Sequence, residues 1–344
     1  MRRRLPPLVA ALALLTSAPA DAAKPAAPSW AAPQIKLVTA QGLMGVTDPT
    51  QFRPDDALTQ GALAQLVAGL THAELTVPAK PTAPVTMAGL DARLVGALAL
   101  ADVARTYATA ARAAGIAVPS RFGTEVTARL LGLRTNHPAA QDNLELLPGD
   151  TATRAEAAFS AARILGFSGW ETASVRASSA TFVLPALNEW QKRILTTAFR
   201  FVGYPYVWGG TSETAETPAG VPARGGFDCS GFVWRVYKLQ PYAGEGTLAA
   251  TLRGRTTYQM SGEVPKSKRI PLAKLQPADV IFFGDKGPQS KPAQVGHMGI
   301  YVGNGWFVHS SGYGVALAQL AGWYAREFAW GRRPLAEAGL VSGS

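Results

Sequence analysis

Two folded units are expected from the sequence: a mainly helical domain over residues 35–168, and an α+β domain over 186–335 in which helices pack on an antiparallel sheet. Three patterns carry that expectation. A unit of acidic turn, threonine and helix occurs twice before residue 168; apolar residues recur at helical spacing after Cys229; and two β-type runs flank Gly303-Asn304-Gly305.

The chain opens on Arg2-Arg3-Arg4, an apolar run from Leu5 to Leu15 and small-residue sites at Ala18-Pro19-Ala20 and Ala20-Asp21-Ala22. That order is the layout of a secretion signal, here residues 1–22. The apolar run is shorter than the ~20 residues of a membrane span, and no other stretch offers one. Residues 23–34, rich in Pro and Ala, read as a linker. With 47% hydrophobic and 16% charged residues, the 344-residue chain has the composition of a folded protein and the length for one or two cores. Its single cysteine excludes an intramolecular disulfide, so burial alone must hold an exported fold together. A net charge of +10 draws polyanions. The basic residues are scattered rather than interleaved with stacking aromatics, which points to wall polymers or lipid headgroups and away from nucleic acid.

The first repeat copy runs Gly42-Leu43, Phe52-Arg53-Pro54-Asp55, Leu58-Thr59-Gln60 and a helix from Ala62 to Leu70. The second runs Gly132-Leu133, Leu147-Pro148-Gly149-Asp150, Thr153-Arg154-Ala155-Glu156 and a helix to Leu165. In each the threonine is placed to cap the helix, and Glu156 is placed to complete a capping box with Thr153. Between them, residues 83–118 show one long Ala-rich helix, so a third copy is partial. The unit resembles the S-layer homology repeat, whose members dock exported proteins onto wall polysaccharides. Thr153-Arg154-Ala155-Glu156 matches that family's polymer-contacting signature, which would give Arg154 a role in binding anionic wall polysaccharide. Arg154 fits equally well as a solvated charge on a helical packing domain. Gly, Ser, Thr and Ala then dominate 169–185, a second expected linker, and 336–344 reads as a tail.

In the second domain a helix is expected from Trp190 to Phe201, followed by Tyr204-Pro205-Tyr206-Val207-Trp208-Gly209-Gly210. Cys229, Phe232, Val233, Val236 and Tyr237 then mark one apolar helix face, with Asp228 as the natural N-cap. A thiol in the first turn feels the positive end of the helix dipole, which favours thiolate; a free cysteine is just as readily inert and buried. The hairpin around Gly303-Asn304-Gly305 decides between these. A two-residue turn at Asn304-Gly305 would place His309 on the face of Met298, Ile300 and Val302. A three-residue loop with Gly305 left-handed pairs Trp306 with Val302 and His309 with Gly299. That register, the expected one, leaves Met298, Ile300, Val302, Trp306 and Val308 as a wholly apolar face. His297 and His309 then become diagonal neighbours on the other face, with Gly299 leaving room between them. A thiol, a base (His297) and an orienting group (His309) form the logic of a papain-type triad. His72 and His137 read as structural. No His/Asp/Glu cluster has metal-ligand spacing, so neither metal nor organic cofactor is implied.

These residues carry a close resemblance to the NlpC-type family of papain-like cell-wall cysteine peptidases over roughly 187–333. The matching blocks are Tyr206-Val207-Trp208-Gly209-Gly210, Asp228-Cys229-Ser230-Gly231-Phe232, Leu275 to Phe283, His297 to Gly303 and Val308-His309. The resemblance implies hydrolysis of peptidoglycan stem peptides, commonly at the γ-D-glutamyl bond to the diamino residue. It implies Tyr206 near the oxyanion site and Asp228 and Ser230 around a free N-terminal amine in members that require one. Trp208 and Gly296, in or beside the matched blocks, join the expected substrate-binding residues. The chain departs from the family in that Tyr206 and Cys229 are 23 positions apart, so 211–226 reads as an inserted loop; a second loop, 284–295, precedes His297. Such loops beside a site shape what enters it. Two other functions share the motifs: acyl transfer or amide hydrolysis on a non-wall substrate, and wall binding without turnover.

Overall fold

The computed structural model describes residues 29–341. The expected signal at 1–22 and the first half of the Pro/Ala-rich stretch, 23–28, lie outside the described residues, as do the last three positions.

Six helices build the N-terminal part: α1 (Ala32–Ala40), α2 (Gln60–Thr71), α3 (Met87–Ala97), α4 (Ala101–Ala113), α5 (Phe122–Leu130) and α6 (Arg154–Leu165). Three of them start on one device. Thr59, Thr86 and Thr153 are the N-caps of α2, α3 and α6, and each hydroxyl accepts the backbone N–H three residues on, at 3.1–3.2 Å. Such a cap stabilises a helix by about 1 kcal/mol. The capping segments pair through single antiparallel bridges, Ala57 with Thr153, Thr59 with Pro84 and Thr86 with Thr151, so the three turns close on one another. The middle stretch therefore supplies a third capped helix. It is two helices rather than the one expected, broken where Ala99 turns left-handed at φ +54°. The expected capping box at Thr153 does not form, because the Glu156 side chain turns inward to Arg134.

Both expected linkers are corrected. Within 23–34, Ala31 is buried, Trp30 packs edge-on against His137 at 4.6 Å and α1 begins at residue 32, so folded structure starts before Ile35. Within 169–185, α7 (Trp170–Thr181) is a full helix, tied to α4 by Arg176 and Asp102 at 2.8 Å. Only Val175 and Ser179 of α7 are buried, so the sequence carries no apolar stripe to announce it.

The C-terminal part is α+β. It begins with α8 (Glu189–Arg200), entered through a capping box of Asn188 and Gln191. A short ribbon, β1 (Thr211–Ser212) with β2 (Gly226–Phe227), closes the inserted loop. Helices α9 (Cys229–Trp234), α10 (Leu248–Thr251) and α11 (Thr257–Gly262) follow. Then come β3 (Val280–Gly284), β4 (Val295–Gly303), β5 (Trp306–Ser311), β6 (Gly314–Gln319), α12 (Gly322–Glu327), β7 (Phe328–Arg332) and α13 (Pro334–Glu337). The sheet runs β6-β5-β4-β3-β7, antiparallel throughout.

Strand alternation sorts its residues into two layers. Met298, Ile300, Val302, Trp306 and Val308 enter a core continuous with that of the N-terminal helices. Ile281, Phe283, Phe307 and Phe328 form a second core on the opposite face, with Tyr324 of α12 packed against it. The continuity of the first core is clearest where Tyr107 of α4, Phe182 and Trp306 of β5 meet with ring centroids 5.1–5.9 Å apart. Of the expected tail the described residues 336–341 are folded: Leu335 just before them is buried, and Leu340 and Val341 pack on the core.

The hairpin between β4 and β5 corrects the expected three-residue loop. Asn304 and Gly305 form a two-residue turn with φ +49° and +78°, and Gly303 faces Trp306. An irregularity between Tyr301 and Gly303 absorbs one residue, after which Tyr301 opposes Phe307 and Ile300 opposes Val308. The turn is that of one expected register and the strand pairing that of the other. The apolar and histidine-bearing faces fall as expected.

Candidate functional site

Cys229 opens α9 because Asp228, in extended conformation, caps the helix with its carboxylate on the Gly231 N–H. The residue is 9% exposed. Burial pushes its thiol up to about 12, and the Asp228 carboxylate adds to the rise; N–H groups of Ser230 and Met298 and the charge of Arg255 pull the other way without winning. The stored thiolate expected from the helix dipole is thus overturned: desolvation of a buried anion outweighs a six-residue helix end.

The N–H of Met298 that faces the sulfur belongs to β4, one residue from His297. His297 Nε2 lies 2.7 Å from His309 Nδ1 on β5, so one imidazole donates and the other accepts. That leaves Nδ1 as the remaining nitrogen of His297. Burial lowers His297 to about 4; burial and then the His297 charge lower His309 well below its ordinary value, so both rings are neutral at pH 7. Aromatic neighbours fix the pair. Phe283 stacks on His297 at 5.7 Å, Phe307 lies 4.7 Å from His309, and Tyr324 meets His309 edge-on at 5.3 Å. Gly299 provides the room between them: a Cβ there would lie 2.8 Å from the Val308 carbonyl oxygen and 3.0 Å from His309 Cβ.

Tyr206 is half-buried, and its hydroxyl is held protonated first by burial, with the carboxylates of Asp228 and Asp142 acting in the same direction. Trp208 is 58% exposed and Gly296 is exposed next to His297. Asp228 and Ser230 are not open groups. Arg255 donates to both Asp228 carboxylate oxygens, at 3.2 and 3.1 Å, and to the Ser230 hydroxyl at 2.7 Å. It also reaches the carbonyls of Gly209 and Gly210 at 3.0 and 3.3 Å. Arg255 was not anticipated: its partners lie 25–46 positions away and no spacing rule joins them. Arg154 stands apart from this site. Its Nε donates to the Phe52 carbonyl at 2.7 Å and its guanidinium covers the Phe52 ring at 4.7 Å, so it joins two repeat copies rather than projecting freely into solvent. Among the described residues no group of three His, Cys, Asp or Glu side chains is placed to hold a metal, and no helix is long and apolar enough to cross a membrane.

Residues 203–333 match the NlpC/P60 family. The C-terminal part is an NlpC/P60 domain. Residues 23–64 match the S-layer homology domain, a stretch that takes in the first repeat copy up to the start of its helix. A probable peptidoglycan endopeptidase of Bacillus subtilis is 34% identical over 37% of this chain and 29% of its own length. A gamma-D-glutamyl-L-lysine dipeptidyl-peptidase of the same organism is 31% identical over 40% of this chain and 37% of its own length. The chain thus spans little more than a third of these relatives at most. Among solved structures, an NlpC/P60 family protein from Bacillus cereus is 25% identical, with 45% of this chain and 43% of that chain covered and a TM-score of 0.32. Every block of the NlpC/P60 domain quoted above lies within the matched residues.

Proposed function

We propose that the protein is an exported cysteine peptidase that hydrolyses peptidoglycan stem peptides, at the γ-D-glutamyl bond to the diamino acid. The observation that carries this reading is the layout around Cys229: a buried thiol at a helix start, facing the Met298 N–H, whose neighbour His297 is hydrogen-bonded to His309. The names of the relatives support the substrate class. Cys229 is the nucleophile, His297 the general base and acid, and His309 the group that orients His297.

Because burial favours neutral thiol and neutral imidazole, the proton moves during attack rather than before it. Cys229 Sγ bonds to the amide carbonyl carbon as its proton passes to His297 Nδ1. The carbonyl oxygen takes up negative charge against backbone N–H groups at the start of α9 and the Tyr206 hydroxyl. The C–N bond breaks as His297 returns the proton to the leaving amine, and water then resolves the thioester with His297 again as base. Trp208 and Gly296 line the approach. Asp228 and Ser230 already hold Arg255, which favours cutting within a stem peptide over capturing a free amine there. The S-layer-homology-like part brings the enzyme to anionic wall polysaccharide, and the signal at 1–22 exports it.

The test is amine release from purified peptidoglycan, with products from defined muropeptides read by mass spectrometry. Cys229→Ala should abolish release and leave the circular dichroism spectrum unchanged. Undiminished release by that variant would falsify the reading.

A further inference from the structure

The stretch from Gly203 to Trp208 carries Tyr206, and the N-terminal helices hold it at both ends. At one end Arg129 of α5, itself buried, donates to the carbonyl oxygens of Gly203 and Tyr313. Gly203 sits at φ +96° and a Cβ there would lie 2.5 Å from Glu125 Oε2, so α5 comes as close as a glycine permits. At the other end Asp142, in the short turn Ala139–Leu144, accepts the Trp208 backbone N–H at 3.0 Å. Between these points Pro205 and Val207 pair with Phe227, two residues before Cys229.

Asp142 is 2% exposed, and its Oδ1 is buried with no hydrogen-bond partner. A buried carboxylate with half its capacity unused is costly and calls for a reason. The one bond it does make fixes the outer end of the segment bearing Tyr206.

We propose that the N-terminal domain is part of the catalytic apparatus, with Asp142 a positioning residue that, together with Arg129, fixes the Tyr206 segment against Cys229. This rests on the peptidase reading above. The N-terminal helices then set turnover as well as location, and a shift of about 1 Å in Tyr206 is enough to slow a reaction of this kind by up to about 100-fold.

The experiment uses the full chain and a soluble defined muropeptide, separating kcat from KM. Asp142→Ala should lower kcat about 10- to 100-fold with KM within about 3-fold. Asp142→Asn keeps an oxygen for the Trp208 N–H and should stay within about 3-fold of the parent. Asp142→Glu displaces the acceptor by a methylene and should fall with the alanine variant. Near-UV circular dichroism reports the folded fraction. Wild-type kcat in folded Asp142→Ala overturns the proposal, as does Asp142→Asn failing as badly as Asp142→Ala, which would mean that charge matters rather than the bond. If Asp142→Ala does not fold, an unchanged kcat in Asp142→Glu overturns it. A parent chain with no Cys229-dependent turnover would instead sink the peptidase reading.

Discussion

Two of the clusters of buried polar side chains in this protein handle burial in opposite ways. Under the N-terminal helices, Asp91, Glu125, Arg129, Arg134 and Glu156 are interleaved by sign, with Arg134 3.4 Å from Asp91 and 3.7 Å from Glu156, and Arg129 3.7 Å from Glu125. Burial opposes the charge on Arg134, but Asp91, then Glu156 and Glu125, outweigh it and hold the guanidinium above its ordinary value. In the NlpC/P60 domain, His297 and His309 have no such counter-ion and Arg255 does not outweigh burial at Cys229, so burial drives all three neutral. The paired charges tie α3 and α6 to the chain just past the end of α5 as a scaffold. In the proposed mechanism the neutral groups pass a proton on when substrate binds.

That contrast can be broken by mutation, and the largest effect is expected at the histidines. His297→Ala should lower kcat/KM by at least about 1000-fold and His309→Ala by about 10- to 100-fold, since water partly replaces an orienting group but not a base. Equal losses in the two variants would erase the distinction between base and orienter. Next comes the scaffold. Arg134→Met leaves Asp91 and Glu156 without their cation and should cost about 3–5 kcal/mol in denaturant unfolding, while the pH profile of the remaining activity stays in place. A shifted profile would mean that the two clusters are coupled.

The smallest effect is on pH dependence, where the clusters have opposite signs. His297, lowered to about 4 from its ordinary 6.5, makes stability fall as pH drops through that window, because only the unfolded chain binds the proton there. Its role as a base ends in the same range, so activity should fall towards pH 4. Glu125 is raised to about 7, first by burial and then by Asp91, so its contribution is full below 4.5 and is lost as pH rises through 7. Glu125→Gln should remove that alkaline decline, on the order of 1–3 kcal/mol, in urea titrations between pH 5 and 8. A slope unchanged by the substitution would assign the decline to another group.

Much of the reactive layout was legible beforehand because it rests on short-range periodicity. The helix face after Cys229 and the alternation in β4 and β5 bring His297 and His309 together in the expected strand register, which the irregularity before Gly303 preserves although the turn closes on two residues. The turn itself was misjudged, since nothing distinguishes Val302, where a residue is absorbed, from an ordinary strand position. The thiol was misjudged because burial is a property of the assembled fold, invisible in Asp228-Cys229-Ser230. Arg255, Asp142 and Arg129 escaped notice for the same reason, with contacts reaching as far as 184 positions along the chain. Helix α7 was taken for a linker because its few buried positions leave no stripe to read.

Under the proposed function, the aromatic seam of Tyr107, Phe182 and Trp306 bears on how long the enzyme would survive at a wall. A chain whose anchoring and cutting parts were joined by a loose tether could be clipped and would shed an active fragment into the medium. Here a cut near Thr181 would part rings that bury one another and bare the inner face of the sheet to water. The clipped molecule would lose its fold instead of its leash, so under the proposed function no active fragment would leave the place where the intact protein is held.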